Sequence, residues 1–212
     1  MFLQQPKAYV AQDVGSWWVC ERVAGVRCFW DGGVSRGHKD APWANKDSKD
    51  QEATGLWGED ARPIKVSEAV LNKFPCMPLD GILTPNQDFA AFGTPPIDSI
   101  FGDREGDGVD IDWELCQYWI RDRAFPDFLF KTKPDNFQQE LMTLKEYLDT
   151  DSVYLVKHVT LSSSHSQARI EVQEHYDKVV GRGGLGLLMR DPVSEWTPGK
   201  SNNFLEYLKG TK

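Results

Sequence analysis

Asp103, Glu105 and Asp107 recur at alternate positions, Gly108 follows, and Glu114 stands twelfth counting from Asp103. This spacing approaches a calcium loop, in which oxygen ligands repeat, a glycine makes the turn and a glutamate closes the sphere. It departs from that pattern at Glu105, where Asp or Asn is usual, and at Asp110, where an apolar residue is usual. Pro95 and Pro96 precede the run and a strand pattern follows it, so neither flank reads as a helix. The expectation is an exposed acidic loop over about residues 98–114, with Asp103, Glu105, Asp107, Asp110 and Asp112 as candidate partner-binding groups. Weak Ca²⁺ binding and electrostatic mimicry of nucleic acid are the alternatives.

Other ligand types are scattered. Cys20, Cys28, Cys76 and Cys116 form no Cys-x-x-Cys pair, which suits reduced, buried thiols better than a zinc site or a disulfide frame. His38, His158, His165 and His175 show no ligand spacing with one another or with cysteine, so no metal site is expected.

A different chemistry attaches to the run Trp17-Trp18-Val19-Cys20-Glu21-Arg22-Val23-Ala24-Gly25-Val26-Arg27-Cys28-Phe29-Trp30-Asp31-Gly32. It is followed in order by Ser35-Arg36-Gly37-His38, Leu79-Asp80-Gly81, Gly183-Gly184-Leu185-Gly186-Leu187-Leu188-Met189-Arg190, and Gly199-Lys200-Ser201 with Phe204-Leu205-Glu206-Tyr207-Leu208. Across residues 17–208 these five blocks resemble the motifs of ATP-dependent DNA ligases, particularly the small bacterial and viral ones. The resemblance implies the nucleotidyltransferase fold: α+β, two mostly antiparallel sheets with flanking helices and a nucleotide groove between them. It also implies a single ligase-like domain over 1–212, without the OB-fold domain that family ligases carry.

The residues that would do the family's chemistry differ. The family's motif lysine attacks the ATP α-phosphate, and its place is taken by Arg22. A guanidinium holds its proton above pH ~12, so it can bind a phosphate but has no lone pair with which to attack one. The motif aspartate is Ala24, the ribose-contacting carboxylate is Ile82 and the metal-linked glutamate is Leu185. Neither aliphatic side chain can accept a hydrogen bond or coordinate Mg²⁺. The closing lysines align with Glu206 and Leu208, and a carboxylate at the first position repels a triphosphate. Gly25, Arg27, Arg36, Asp80 and Arg190 are retained. The three arginines are read as structural ion-pair partners ahead of a weakened nucleotide site. Lys7, Lys46 and Lys49 are the candidates for a displaced nucleophile, although surface solvation explains them more simply.

Positioning these residues falls to a strand-rich chain. Trp17–Cys20, Val26–Trp30, Leu79–Thr84, Leu115–Arg121, Val153–Val159 and Leu185–Arg190 are rich in β-branched, aromatic or leucine side chains. Three apolar stripes of helical period begin near Val66, at Phe137 behind a capping Asn136 with Gln139 three residues on, and at Ser166 up to Gly181. Of the eight tryptophans, Trp17, Trp18, Trp30 and Trp119 fall in strands and suit core packing, while Trp43, Trp57 and Trp196 sit in loop-like contexts and include one or two candidates for exposed anchors to a protein. With 40% hydrophobic residues the chain can offset the entropy of ordering itself. No apolar run reaches the roughly 20 residues of a membrane span.

The net charge of −8 argues against a broad phosphate-binding surface, and residues 98–114 alone carry −6 of it. The resulting expectation is a catalytically inactive ligase-like pseudoenzyme serving as an interaction or regulatory protein. It would be cytoplasmic, phage-encoded in one version, with a protein partner and no obligate cofactor, weak ATP binding aside. The alternatives are a divergent nucleotidyltransferase with a displaced nucleophile and a nick- or end-binding protein without chemistry.

Overall fold

The computed structural model describes residues 3–39, 41–48, 51–64, 66–85, 116–124, 135–148 and 152–210. The acidic segment, with Asp103, Glu105, Asp107, Asp110 and Asp112, lies outside the described residues.

Among the described residues, ten strands form two five-stranded sheets. The first runs in the order β1 (Gln4–Ala8), β10 (Gly199–Leu208), β9 (Gly186–Arg190), β2 (Trp18–Glu21) and β8 (Val159–Thr160). The second runs β4 (Leu56–Gly58), β3 (Val26–Asp31), β5 (Pro78–Pro85), β6 (Cys116–Arg123) and β7 (Val153–Leu155). Pairing is antiparallel except for β1 with β10 and β6 with β7. The α+β expectation of two mostly antiparallel sheets is met.

Period-2 alternation decides what each sheet offers to which side. Val19, Leu187, Met189 and Leu205 turn outward from the first sheet and pack on Ala168, Val172 and Val179 of a helix at His165–Gly181, here α3. Cys28, Trp30, Leu79, Leu83, Tyr118 and Ile120 turn outward from the second sheet. They pack on α1 (Glu68–Leu71) and α2 (Phe137–Tyr147). Asn136 caps α2 as its sequence suggests, accepting from the Gln139 backbone N–H at 3.0 Å. Residue 181 is still helical; α3 ends just beyond it, where Gly183 takes φ +92°.

The alternate residues of both sheets therefore face each other. Between the sheets lie Cys20, Leu188 and Phe204 with Val156, forming a small apolar cluster, and around it the charged side chains described below. One irregularity matters here. Asp80 pairs with Asp122 but Gly81 pairs with Ile120, so Arg121 is an extra residue on β6. Such a bulge re-aims side chains, and Arg121 and Asp122 both reach the space between the sheets.

Several loop expectations are corrected. Trp57 lies in β4 and is buried, as is Trp196, both packed with Phe29 and Leu3; neither is an exposed anchor. Cys76 is exposed, whereas Cys20, Cys28 and Cys116 are buried. The run Val153–Val159 is not one strand but two short ones in different sheets, β7 and β8. Among the described residues no helix is long and apolar enough to cross a membrane.

Candidate functional site

A groove of about 820 Å³ opens between the sheets. Strand alternation brings Ile82 from β5, Arg121 from β6 and Glu206 from β10 to its wall, and β1 supplies Gln5 to Ala8. The segment joining β2 to β3 forms one side, contributing Arg22, Val23 and Gly25, and β3 adds Val26 and Arg27. Gly25 sits at φ +143°, and a Cβ there would come within 2.5 Å of the Leu83 carbonyl oxygen. Only glycine lets this segment lie so close to β5.

The sequence-derived site residues sort into three groups. Arg22, Gly25, Arg27, Ile82, Leu185 and Glu206 converge on the groove from four separate stretches of chain. Asp80 and Arg190 lie deeper, between the sheets, where both border a small inner cavity. Ala24 faces a different cavity on the other side of the β2–β3 segment, and Arg36 lines a separate depression with Gly37, Thr54 and Val66.

The cations in and beneath the groove differ in what holds them. Arg22 Nε stands 3.7 Å from Glu206 Oε2. Arg27 is buried and donates to both Asp80 oxygens, at 2.9 and 2.6 Å, and to Glu59 at 3.2 Å. Burial opposes the charge on Arg27, but Asp80 and then Glu59 outweigh it and raise the guanidinium pKa. Burial likewise pushes the Asp80 carboxyl up, and the Arg27 charge reverses this and leaves it depressed. Arg190 pairs with Asp122 at 3.3 Å and donates to the Gln4 side chain. Burial raises Asp122 to about 7, with Arg190 pulling the other way. Arg36 pairs with Glu68 on α1. All three arginines shared with the ligase motifs thus have carboxylate partners.

Arg121 does not. It makes no hydrogen bond or ion pair among the described residues, and its guanidinium carbon lies 5.2 Å from the Phe204 ring centroid. Its Nε is buried without a partner. Burial first, then repulsion from Arg27, pushes its pKa down to about 10, although Asp80 pulls it up. Sequence reading missed this residue, because regular alternation gives no sign of the bulge that sets it. Lys7, which donates to Asn202 at 2.6 Å, and the exposed Lys200 complete the groove's cations. Lys46 is absent from its lining.

Five cations, Lys7, Arg22, Arg27, Arg121 and Lys200, thus face three acids, Glu59, Asp60 and Glu206, in a chain of net charge −8. The arrangement can hold an anion. It presents the guanidinium of Arg22 and the aliphatic side chains of Ile82 and Leu185 to the same space.

No family model matches the chain, and no curated protein is similar to it in sequence. Solved structures are similar in fold. A Lig E DNA ligase studied for DNA binding with a minimal scaffold aligns with a TM-score of 0.67 at 18% identity, over 99% of this chain and 69% of that one. The Chlorella virus DNA ligase-adenylate gives 0.60 at 12%, over 98% and 67%. The ATP-dependent DNA ligase of bacteriophage T7, complexed with ATP, gives 0.59 at 14%, over 97% and 68%. A further ligase, Pmar-Lig, is spanned over only 46% of its length. The two facing sheets, their helices and the groove between them therefore constitute the nucleotidyltransferase fold of ATP-dependent DNA ligases.

Proposed function

We propose that this chain is a ligase-fold protein that has given up covalent nucleotidyl transfer and acts by binding another macromolecule, a protein. The observation that carries the reading is the pairing of Arg22 with Glu206 in the groove, with Ile82 and Leu185 lining the same space. At this one place the groove has a cation that cannot attack phosphorus, an acid engaged with it, and two side chains without oxygen. Intact mass after incubation with ATP and Mg²⁺ or Mn²⁺ tests it. No mass increase is expected; a gain of one adenylyl group would overturn the reading.

A second reading rests on the two amines at the groove wall. Lys7 and Lys200 both line it, so a displaced nucleophile would come from one of them. Peptide mapping of an adduct to Lys7 or Lys200 would support that reading, and the unmodified mass would dismiss it.

A further inference from the structure

A second concavity, of about 600 Å³, lies on the other side of the β2–β3 segment, between α3 and the ends of the two sheets. Its floor is apolar, with Val23, Trp119 and Val159 open to it above the buried Val19, Val156 and Leu187, and Trp119 stacks on Tyr154 at a centroid distance of 5.1 Å. Around it stand Lys157, His175, Lys178 and Arg182, against a single acid, Glu21, which is already paired with Arg182. In a chain of net charge −8, this rim is locally positive. Lys157 and Lys178 are exposed, and their ammonium groups make no hydrogen bond or ion pair among the described residues.

The shape of the site narrows the ligand. A bare anion would satisfy the rim and leave the apolar floor wet, whereas an aliphatic ligand would leave the lysines unused. An amphipathic ligand uses both. Among the described residues β8 also ends the first sheet: it pairs there only with β2, and its Val159, which lines the concavity, is 42% exposed. An open strand edge beside an apolar groove accepts an extended polypeptide, with backbone hydrogen bonds giving affinity and alternate side chains entering the groove.

We propose that this concavity binds an extended segment of a partner protein in which acidic and apolar side chains alternate. The apolar side chains descend onto Val23, Trp119 and Val159, and the acidic ones stay at rim level within reach of Lys157 and Lys178. The inference rests on the reading of the chain as a protein-binding module, but it concerns a cavity separate from the one where adenylyl transfer would occur. A lysyl adduct would overturn that reading without affecting the measurement below.

The test is fluorescence anisotropy with a labelled nine-residue peptide that alternates aspartate with valine, isoleucine and tryptophan, titrated with the full chain. Saturable binding is expected, weakened at least tenfold in the double variant Lys157→Glu, Lys178→Glu. Both side chains are exposed, so thermal unfolding of the variant should match the parent. A peptide with lysine in place of aspartate should not bind. Absence of saturation, equal binding by the charge-reversed variant, or equal binding of the lysine peptide would each overturn the proposal.

Discussion

Arg22 and Glu206 meet at 3.7 Å, one directly after β2 and the other on the inward face of β10, so the groove's own acid neutralises the cation at the head of its wall. The consequence concerns restoration. Arg22→Lys supplies an amine, but Glu206 remains beside it to hold that amine protonated, and Ile82 and Leu185 still provide no oxygen. Intact mass after exposure to ATP and Mg²⁺ should therefore show no adenylyl adduct on the Arg22→Lys variant.

The Arg27–Asp80 pair ties β3 to β5 through two hydrogen bonds in a buried setting. Removing one partner strands the other's charge, a loss of about 3–5 kcal/mol. Asp80→Ala should lower stability by that amount in urea unfolding. The double variant Arg27→Met, Asp80→Leu should lose markedly less than the sum of its single changes.

Arg121 gives the opposite sign. A partly buried guanidinium without a carboxylate is costly to keep charged. Arg121→Met should raise stability by about 1–2 kcal/mol in the absence of ligand. Phosphate or sulfate should raise the thermal stability of the parent chain and leave that of the variant unchanged, as differential scanning fluorimetry with and without the anion would reveal.

His158 lies between Trp18 and Phe137, and burial lowers its pKa to about 4 against a small opposing effect from the Val156 backbone. Between pH 6.5 and 4 the unfolded state binds the proton and the folded state does not. Its contribution is thus complete above pH 6.5 and falls away toward pH 4. Asp122, raised to about 7, acts in the reverse sense, favouring the fold at low pH and losing that advantage as pH rises toward 7. Comparing His158→Phe with the parent isolates the first effect: the variant should gain stability relative to the parent as pH falls from 6.5 to 4, read by urea midpoints at each pH.

Thiol chemistry separates one cysteine from three. Cys76 is exposed, while burial pushes the Cys20 thiol up to about 12 and raises that of Cys28 as well. A maleimide reagent at pH 7 should add one label to the native chain, on Cys76, and four after denaturation, counted by mass.

The strands that carry dense apolar runs were legible from composition and alternation, and β3, β5 and β9 fall within a residue or two of their expected bounds. β1 and β4 were not legible. Gln4–Ala8 contains a proline and two glutamines, and only pairing with β10 makes it a strand; Leu56–Gly58 is too short for any periodicity to show. In the groove, the positions of Arg22, Arg27, Ile82, Leu185 and Glu206 followed from the motif spacing. Arg121 and Asp122 did not, since a one-residue bulge between paired strands leaves no mark in one strand's sequence. Arg36 also shows the limit of motif order: its sequence neighbourhood suggests the groove, but its Glu68 partner keeps it on a different face.

The parallel pairing of β1 with β10 joins Gln4 to Gly199 and Ala8 to Glu206. Both strands wall the groove, so that wall exists only after contacts spanning nearly the whole chain have closed. Such long-range closure is entropically expensive and slow to nucleate. During synthesis the second sheet and its helices can form before β10 has emerged, whereas the groove wall cannot. The groove wall therefore depends on an edge strand, β1, and is lost when that strand detaches.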